Sequence, residues 1–433
     1  MQDSVGNSIW IPFPEALRVW FKIGCLGFGG PAGQIALMHR ILVDEKKWVE
    51  EDRYLHALNF CMLLPGPEAQ KLATYVGWLL HGTRGGLVAG ILFVLPGALV
   101  MLGVSLLYAL GQGIPAVDGA LFGIKAAVLV IVVEALLRIG RRGLKTRLLL
   151  GVAAAAFIGI FFFALPFPLI IAAAGTVGFF TTEKTNTLAP PAEKRGAWRQ
   201  FARATLVGLA LWLAPVALIV LALGTSHVMF DIAAFFSKLA VVSFGGAYAL
   251  LAYMAQQAVE TYGWMSAPEM VDGLGLAETL PGPLIKVTQF VGFLAAYRDP
   301  EPFSPVAAAI IGSALTTWVT FVPPMMLIFA GAPFIEQLRS NPRLSGAMTA
   351  ITAAVVGVIL NLTIWFALHV LFARVEEARA GPLRWYAFDP AALDWKAGAL
   401  ALAAAFLMLR LHRGLVETVA VMAAAGILLR FLS

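Results

Sequence analysis

Charge is what this chain has least of. Only 13% of its 433 residues are Asp, Glu, Lys or Arg, against about 25% in ordinary soluble domains. Cysteine is nearly absent. Cys25 and Cys61 both sit in apolar stretches, which argues against a disulfide framework or a thiolate metal site. The phosphate-cradling pattern G-x-x-x-x-G-K-[ST] is missing, as is HExxH, and no polar segment is long enough to fold into a nucleotide-binding domain. No metal and no cofactor are implied. The opening MQDSVGNSIWIPFPEALRVW lacks the basic region and short apolar core of a cleaved signal peptide. The net charge of +6 asks for no nucleic acid, because Lys and Arg gather in short loops, as orientation signals in a bilayer do.

What the chain has in excess is apolar sequence, 60% of all residues. Runs such as 87–110 are long enough to cross a hydrocarbon core of about 30 Å. They are continuous rather than alternating, which excludes a membrane β-barrel. The composition predicts an all-α polytopic membrane protein set in the lipid bilayer.

The chain is also written twice. FKIGCLGFGGPAGQ (21–34) faces SKLAVVSFGGAYAL (237–250), with Phe28 and Phe244 216 positions apart. Lys22 with Lys238, Trp48 with Trp264 and Pro65 with Pro281 keep that spacing. MLLPGPEAQKLATYVGW (62–78) is matched by ETLPGPLIKVTQFVGF (278–293), where a one-residue deletion sets Lys71 against Lys286. Further on, FVLPG (93–97) faces FVPP (321–324).

These matches divide the chain into an N-terminal repeat, 1–180, a connecting segment, 181–230, and a C-terminal repeat, 231–433. Each repeat reads as two broken segments followed by four plain spans. In the first repeat the broken segments are 15–43 and 53–80, with spans near 86–110, 117–139, 147–163 and 167–180. In the second they are 231–258 and 268–297, with spans near 304–330, 346–372, 397–411 and 414–432. The connecting segment holds a polar linker and one unpaired span near 204–223, and that odd crossing predicts inverted topology. Loop charge favours re-entrant hairpins that turn at FGG and PGP. The loop bearing Arg40, Lys46, Lys47 and Arg53 then lies inside, and the N-terminus is cytoplasmic. Arg374, Arg379 and Arg384 run against the rule.

The breaks carry the chemistry. Backbone that is irregular at membrane depth persists where protein or water satisfies it, and there it can build a site. Phe28-Gly29-Gly30 and Ser243-Phe244-Gly245-Gly246 allow close approach of a ligand to backbone amides. Pro65-Gly66-Pro67 and Pro281-Gly282-Pro283 each restart a helix, whose N-terminal amides favour an anion. Lys71 and Lys286 follow one turn later and add full charge, so the set describes a seat for an oxyanion. A single PGP is also a common kink, and a single FGG a packing device. Recurrence of both breaks with both lysines favours the site. Glu68, Glu278 and Glu134 are candidates either for proton coupling or for ion pairs with lysine. Lys22 and Lys238 are either auxiliary charges or snorkelling side chains. Asn59, Gln70, Thr279 and Gln289 supply further hydrogen-bonding groups. Lys125 faces Thr352 in the other repeat, so a site common to both need not include it.

The ordered FGG and PGP segments in two halves of one chain resemble the chromate ion transporter family, in its long-chain two-domain form, over nearly the whole sequence. The resemblance implies secondary active export of chromate across the cytoplasmic membrane, driven by the proton gradient, with sulfate as a look-alike dianion. An enzyme is disfavoured by the lack of a His/Asp/Ser set and by the duplication of the breaks. A sulfate carrier and a passive anion channel stand as alternatives.

Overall fold

Proline and glycine decide where the helices of this chain start and break. The computed structural model describes residues 11–28, 30–111, 113–182, 196–244, 247–334 and 341–432. Gly29, Gly245 and Gly246 lie outside the described residues, as do 183–195 of the linker.

The first repeat opens with α1 (Phe13–Leu26) and α2 (Gly30–His39), which continues as a π turn over Arg40–Glu45. Then come α3 (Glu51–Leu63) and α4 (Glu68–Leu110). The separate segments expected at 53–80 and 86–110 meet within α4, because the helix breaks only at His81 and Gly82. Gly82 adopts φ 61°, which redirects the chain without ending the hydrogen-bonded run. Plain helices α5 (Pro115–Gly143), α6 (Arg147–Phe163) and α7 (Phe167–Thr181) follow, and then the connecting helix α8 (Ala197–Leu223).

The second repeat retraces the first. It runs α9 (Val228–Val241), α10 (Ala247–Gln256) with a π turn over Gln257–Thr261, α11 (Ala267–Thr279) and α12 (Val287–Arg298). The long helices α13 (Pro305–Gly331) and α14 (Pro342–Leu371) come next. After a small hairpin, β1 (Val375–Ala380) and β2 (Leu383–Phe388), the chain ends in α15 (Trp395–Ala405) and α16 (Leu415–Leu432). Among the described residues six helices are long and apolar enough to cross a membrane.

The duplication extends to single hydrogen bonds. Trp48 N donates to Leu42 O and Trp264 N to Ala258 O, both at 2.8 Å, closing equivalent π turns. Phe28 N reaches Leu26 O and Phe244 N reaches Val242 O, both at 2.9 Å, at the two FGG breaks. Each of these partners lies 216 residues from its counterpart.

Both broken segments of each repeat fold back on themselves. Lys46, past the end of α2, pairs with Glu15 at the start of α1 (2.7 Å). His81 at the end of the first arm of α4 reaches Ile11 O (2.8 Å). The open ends of both first-repeat hairpins therefore lie together, beside the start of the long arm of α4. In the second repeat His227 Nε2 reaches Glu301 O (2.5 Å) and Arg298 pairs with Glu269 (2.5 Å), so those open ends also lie together. They gather at the other end of that arm, where Tyr108 donates to Asp272 Oδ2 (2.9 Å). From Gly82 to Leu110 the arm spans about 42 Å at the helical rise. The hairpins of the two repeats point toward each other along it.

The β-hairpin was legible as VEEARAGPLRWYAF, with a turn at Gly381 (φ 60°), yet the second repeat was read without it. It also carries two of the arginines that run against the charge rule, Arg379 and Arg384. Arg384 is 2% exposed, donates to Ile160 O (2.6 Å) and Phe161 O (3.1 Å) at the end of α6, and faces Glu260 and Glu377. Arg379 pairs with Glu377 (2.5 Å). Arg384→Ala leaves two carbonyls without their donor and removes the buried cation beside Glu260 and Glu377, which keep Tyr386 and Arg379. It is expected to lower stability by about 3–5 kcal/mol, read as a lower thermal midpoint of the purified protein. An unchanged midpoint would show that these contacts add nothing.

Candidate functional site

The four tips of the hairpins meet near the middle of the long arm of α4. Gly66 N, in the first PGP, donates to Ser243 O (2.9 Å) and to Ser243 Oγ (3.0 Å), at the second FGG break. Gly282 N, in the second PGP, donates to Gly27 O (3.0 Å), at the first FGG break. The exchange is reciprocal: each PGP tip holds the FGG tip of the other repeat. Reciprocity of this kind is the mark of a two-fold relation between the halves.

Glycine is required at both junctions. Gly66 has φ 108° and Gly282 φ 92°, a region that L side chains rarely adopt. A Cβ on Gly66 would stand 2.5 Å from Pro324 Cγ. One on Gly282 would stand 3.2 Å from Gly97 Cα. Gly97 and Pro324 belong to helices α4 and α13, both interrupted by proline, so FVLPG and FVPP serve as seats for the opposite PGP.

Both lysines are buried, at 1% exposure each, and turn back onto the helix that precedes their own PGP. Lys286 Nζ donates to Ala277 O (2.8 Å), Leu280 O (3.0 Å) and Gly282 O (3.2 Å). Lys71 Nζ donates to Leu64 O, the counterpart of Leu280. Each ammonium therefore neutralises the carbonyl end of one helix while it stands beside the amide end of the next. All three protons of Lys286 are engaged with carbonyls, whereas Lys71 makes one such bond among the described residues.

The N-termini that follow PGP are uncapped. Pro67 and Pro283 make no side-chain cap, so the first amides of α4 and of the turn Leu284–Lys286 have no acceptor from the capping residue. Thr288, in the first turn of α12, is buried with its Oγ1 unpartnered among the described residues. Glu68 occupies the first turn of α4, and no ion pair joins it to Lys71 among the described residues.

Glutamines tie the halves together around the tips. Gln70 Nε2 donates to Phe321 O (3.1 Å) and Gln289 Nε2 to Ala98 O (2.9 Å), each crossing to the other repeat. Both line a mainly apolar cavity of about 1770 Å³ between α4, α8 and α13. Gln34 joins the tips directly, donating to Gly27 O (3.1 Å) and Gly282 O (2.7 Å). Gln34 is not among the candidates drawn from the sequence; its signal is a polar group one turn after the first FGG.

Other candidates lie apart. Lys22 and Asn59 are exposed, and Lys238 is exposed with its Nζ 5.9 Å from the Tyr253 ring. Glu134 pairs with Arg138 (3.3 Å) on α5. Thr279 Oγ1 donates within its own helix to Leu276 O (2.9 Å). Glu278 is buried next to the second PGP. Pro65, Pro281, Phe28, Phe244 and Gly30 are half-buried at the tips.

The family model described as chromate transporter matches residues 14–179 and 230–429, both repeats and not the connecting segment. The chain belongs to the chromate transporter family. It is 33% identical over 377 residues to a chromate transport protein of Pseudomonas aeruginosa, covering 85% of this chain and 84% of that one. A chromate transport protein of Cupriavidus metallidurans is 26% identical over 351 residues, 81% of each chain. A probable chromate transport protein of Synechococcus elongatus is 26% identical over 363 residues, 81% of this chain and 83% of that one. No solved structure matches. As a member of this family the chain is a multi-pass membrane transporter rather than an enzyme, and chromate is the ion that fits the family.

Proposed function

We propose that this transporter exports chromate across the cytoplasmic membrane as a secondary carrier, with the dianion held where the four hairpin tips meet. The reciprocal bonds Gly66 N to Ser243 O and Gly282 N to Gly27 O carry the reading, because they set each PGP, with its uncapped helix N-terminus and buried ammonium group, against the FGG tip of the opposite repeat. A tetrahedral dianion is favoured by such helix ends and by nearby fixed charge. Lys71, with one carbonyl bond among the described residues, makes the direct contact. Lys286, caged by three carbonyls, contributes charge.

The hairpin pairs enter from opposite faces, so the repeats lie inverted across the bilayer. The face with Arg40, Lys46, Lys47, Arg53, Lys145 and Arg147 is cytoplasmic by the positive-inside rule. The proton gradient supplies the energy. Glu68, in the first turn after the first PGP, competes with the dianion for one helix N-terminus. Sulfate is the natural competitor, being a tetrahedral dianion as well.

Cells expressing the wild type are expected to accumulate less labelled chromate than cells with empty vector, and excess sulfate should narrow the gap. Equal accumulation with and without the protein would remove export. Greater sulfate uptake with no effect on chromate would favour an inward sulfate carrier instead.

A further inference from the structure

Away from the tips, Asp272, Lys125 and Tyr108 form a second polar cluster. Asp272 lies in the second turn of α11 and is 4% exposed. Its Oδ1 stands 3.0 Å from Lys125 Nζ on α5, and its Oδ2 accepts from the Tyr108 hydroxyl (2.9 Å) at the end of α4. All three line a cavity of about 740 Å³.

The other charged groups around this cavity come from four helices. Asp118 belongs to α5, and Glu269, on α11 itself, is paired with Arg298 of α12 (2.5 Å). Asp394 caps α15 through Ala397 N (2.9 Å), Lys396 follows it, and Arg430 comes from the end of α16. A buried carboxylate at a mainly polar cavity, balanced by one lysine, can take up and return a proton. In the unprotonated state the pair is neutral as a whole. When Asp272 Oδ1 takes a proton from hydronium in the cavity, its new O–H bond forms as one O–H bond of hydronium breaks and water is left. Lys125 keeps its proton and loses its counter-charge.

The cluster is mechanically joined to the tip site. Asp272 sits on the helix that ends at the second PGP, and a Cβ on its neighbour Gly273 would stand 2.4 Å from the Phe290 ring of α12. Phe290 in turn meets the Tyr108 ring edge-on at 5.1 Å. Protonation of Asp272 weakens its ion pair with Lys125, one of the ties between α5 and the hairpin that carries Lys286.

We propose that Asp272 is the proton-exchange residue of this transporter, held by Lys125 and Tyr108 and reached through the cavity at the outer face. The inference rests on the transport reading above and adds to it where the driving proton binds. The test uses the full chain in liposomes, as wild type, Asp272→Asn, and Asp272→Asn with Lys125→Gln. Chromate counterflow, which needs no gradient, is measured beside accumulation driven by a pH gradient. Both variants are expected to keep counterflow and to lose the gradient-driven part down to the level of protein-free liposomes. Gradient-driven accumulation that survives in Asp272→Asn overturns the proposal. So does parallel loss of both activities in Asp272→Asn, and their joint return in the double variant would mark the pair as a brace. A wild type with counterflow but no response to the gradient removes the coupling residue and leaves transport standing. A wild type without counterflow removes the transport reading itself.

Discussion

Gly66→Ala and Gly282→Ala are each expected to abolish chromate transport. The two glycines sit at φ 108° and 92° and hand their amides to the opposite repeat. Alanine in the left-handed region costs about 1–2 kcal/mol, and forcing a methyl into packed surroundings about 1–3 more. A net stability of roughly 5–15 kcal/mol survives that, so folded protein should still be recoverable. The tips cannot survive it unmoved, because a Cβ on Gly66 meets Pro324 and one on Gly282 meets Gly97. Gly103 provides the control: it lies on the same helix as Gly97 and has open space around it. Gly103→Ala should transport like the wild type. Transport at the wild-type rate in either tip variant would contradict the place given to these junctions.

The lysines are expected to separate from each other. Lys71→Met removes a charge that makes one carbonyl bond among the described residues, so its thermal midpoint should stay near that of the wild type. Its chromate affinity should drop by about 10–100-fold, the equivalent of one charge-assisted hydrogen bond of roughly 1.5–3 kcal/mol. Lys286→Met also orphans Ala277 O, Leu280 O and Gly282 O, so midpoint and transport should fall together. Methionine keeps the length of the stem, which confines the change to the charge. Chromate accumulation in cells and thermal melts of purified protein check both. Wild-type accumulation with Lys71→Met would take that lysine out of the anion's path.

Much of this organisation was legible from spacing alone. The offset of 216 marks the breaks, the π turns and the tryptophans that close them, since duplicated backbone keeps duplicated positions. Loop charge was enough to suggest hairpins, and Lys46 against Glu15 shows why the chain folds back there. What spacing hid is how the tips are shared. A hydrogen bond between Gly66 and Ser243 joins residues 177 apart, and no local pattern encodes it. Nor does spacing show that each lysine satisfies carbonyls of its own broken helix. Weighing duplication heavily also cost something. Lys125 has an uncharged counterpart, Thr352, and so falls outside a site common to both repeats. Asp272 carried a signal of its own, a carboxylate inside the apolar stretch MVDGLGL.

The central claim is that one oxyanion sits among the four tips. The most direct measurement is a structure of the protein soaked with chromate, in which anomalous scattering from chromium locates the ion. The account predicts a single peak between the uncapped starts of the helices after Pro67 and Pro283, within contact of Lys71. A peak confined to another part of the protein, in crystals of transport-active protein, would contradict it.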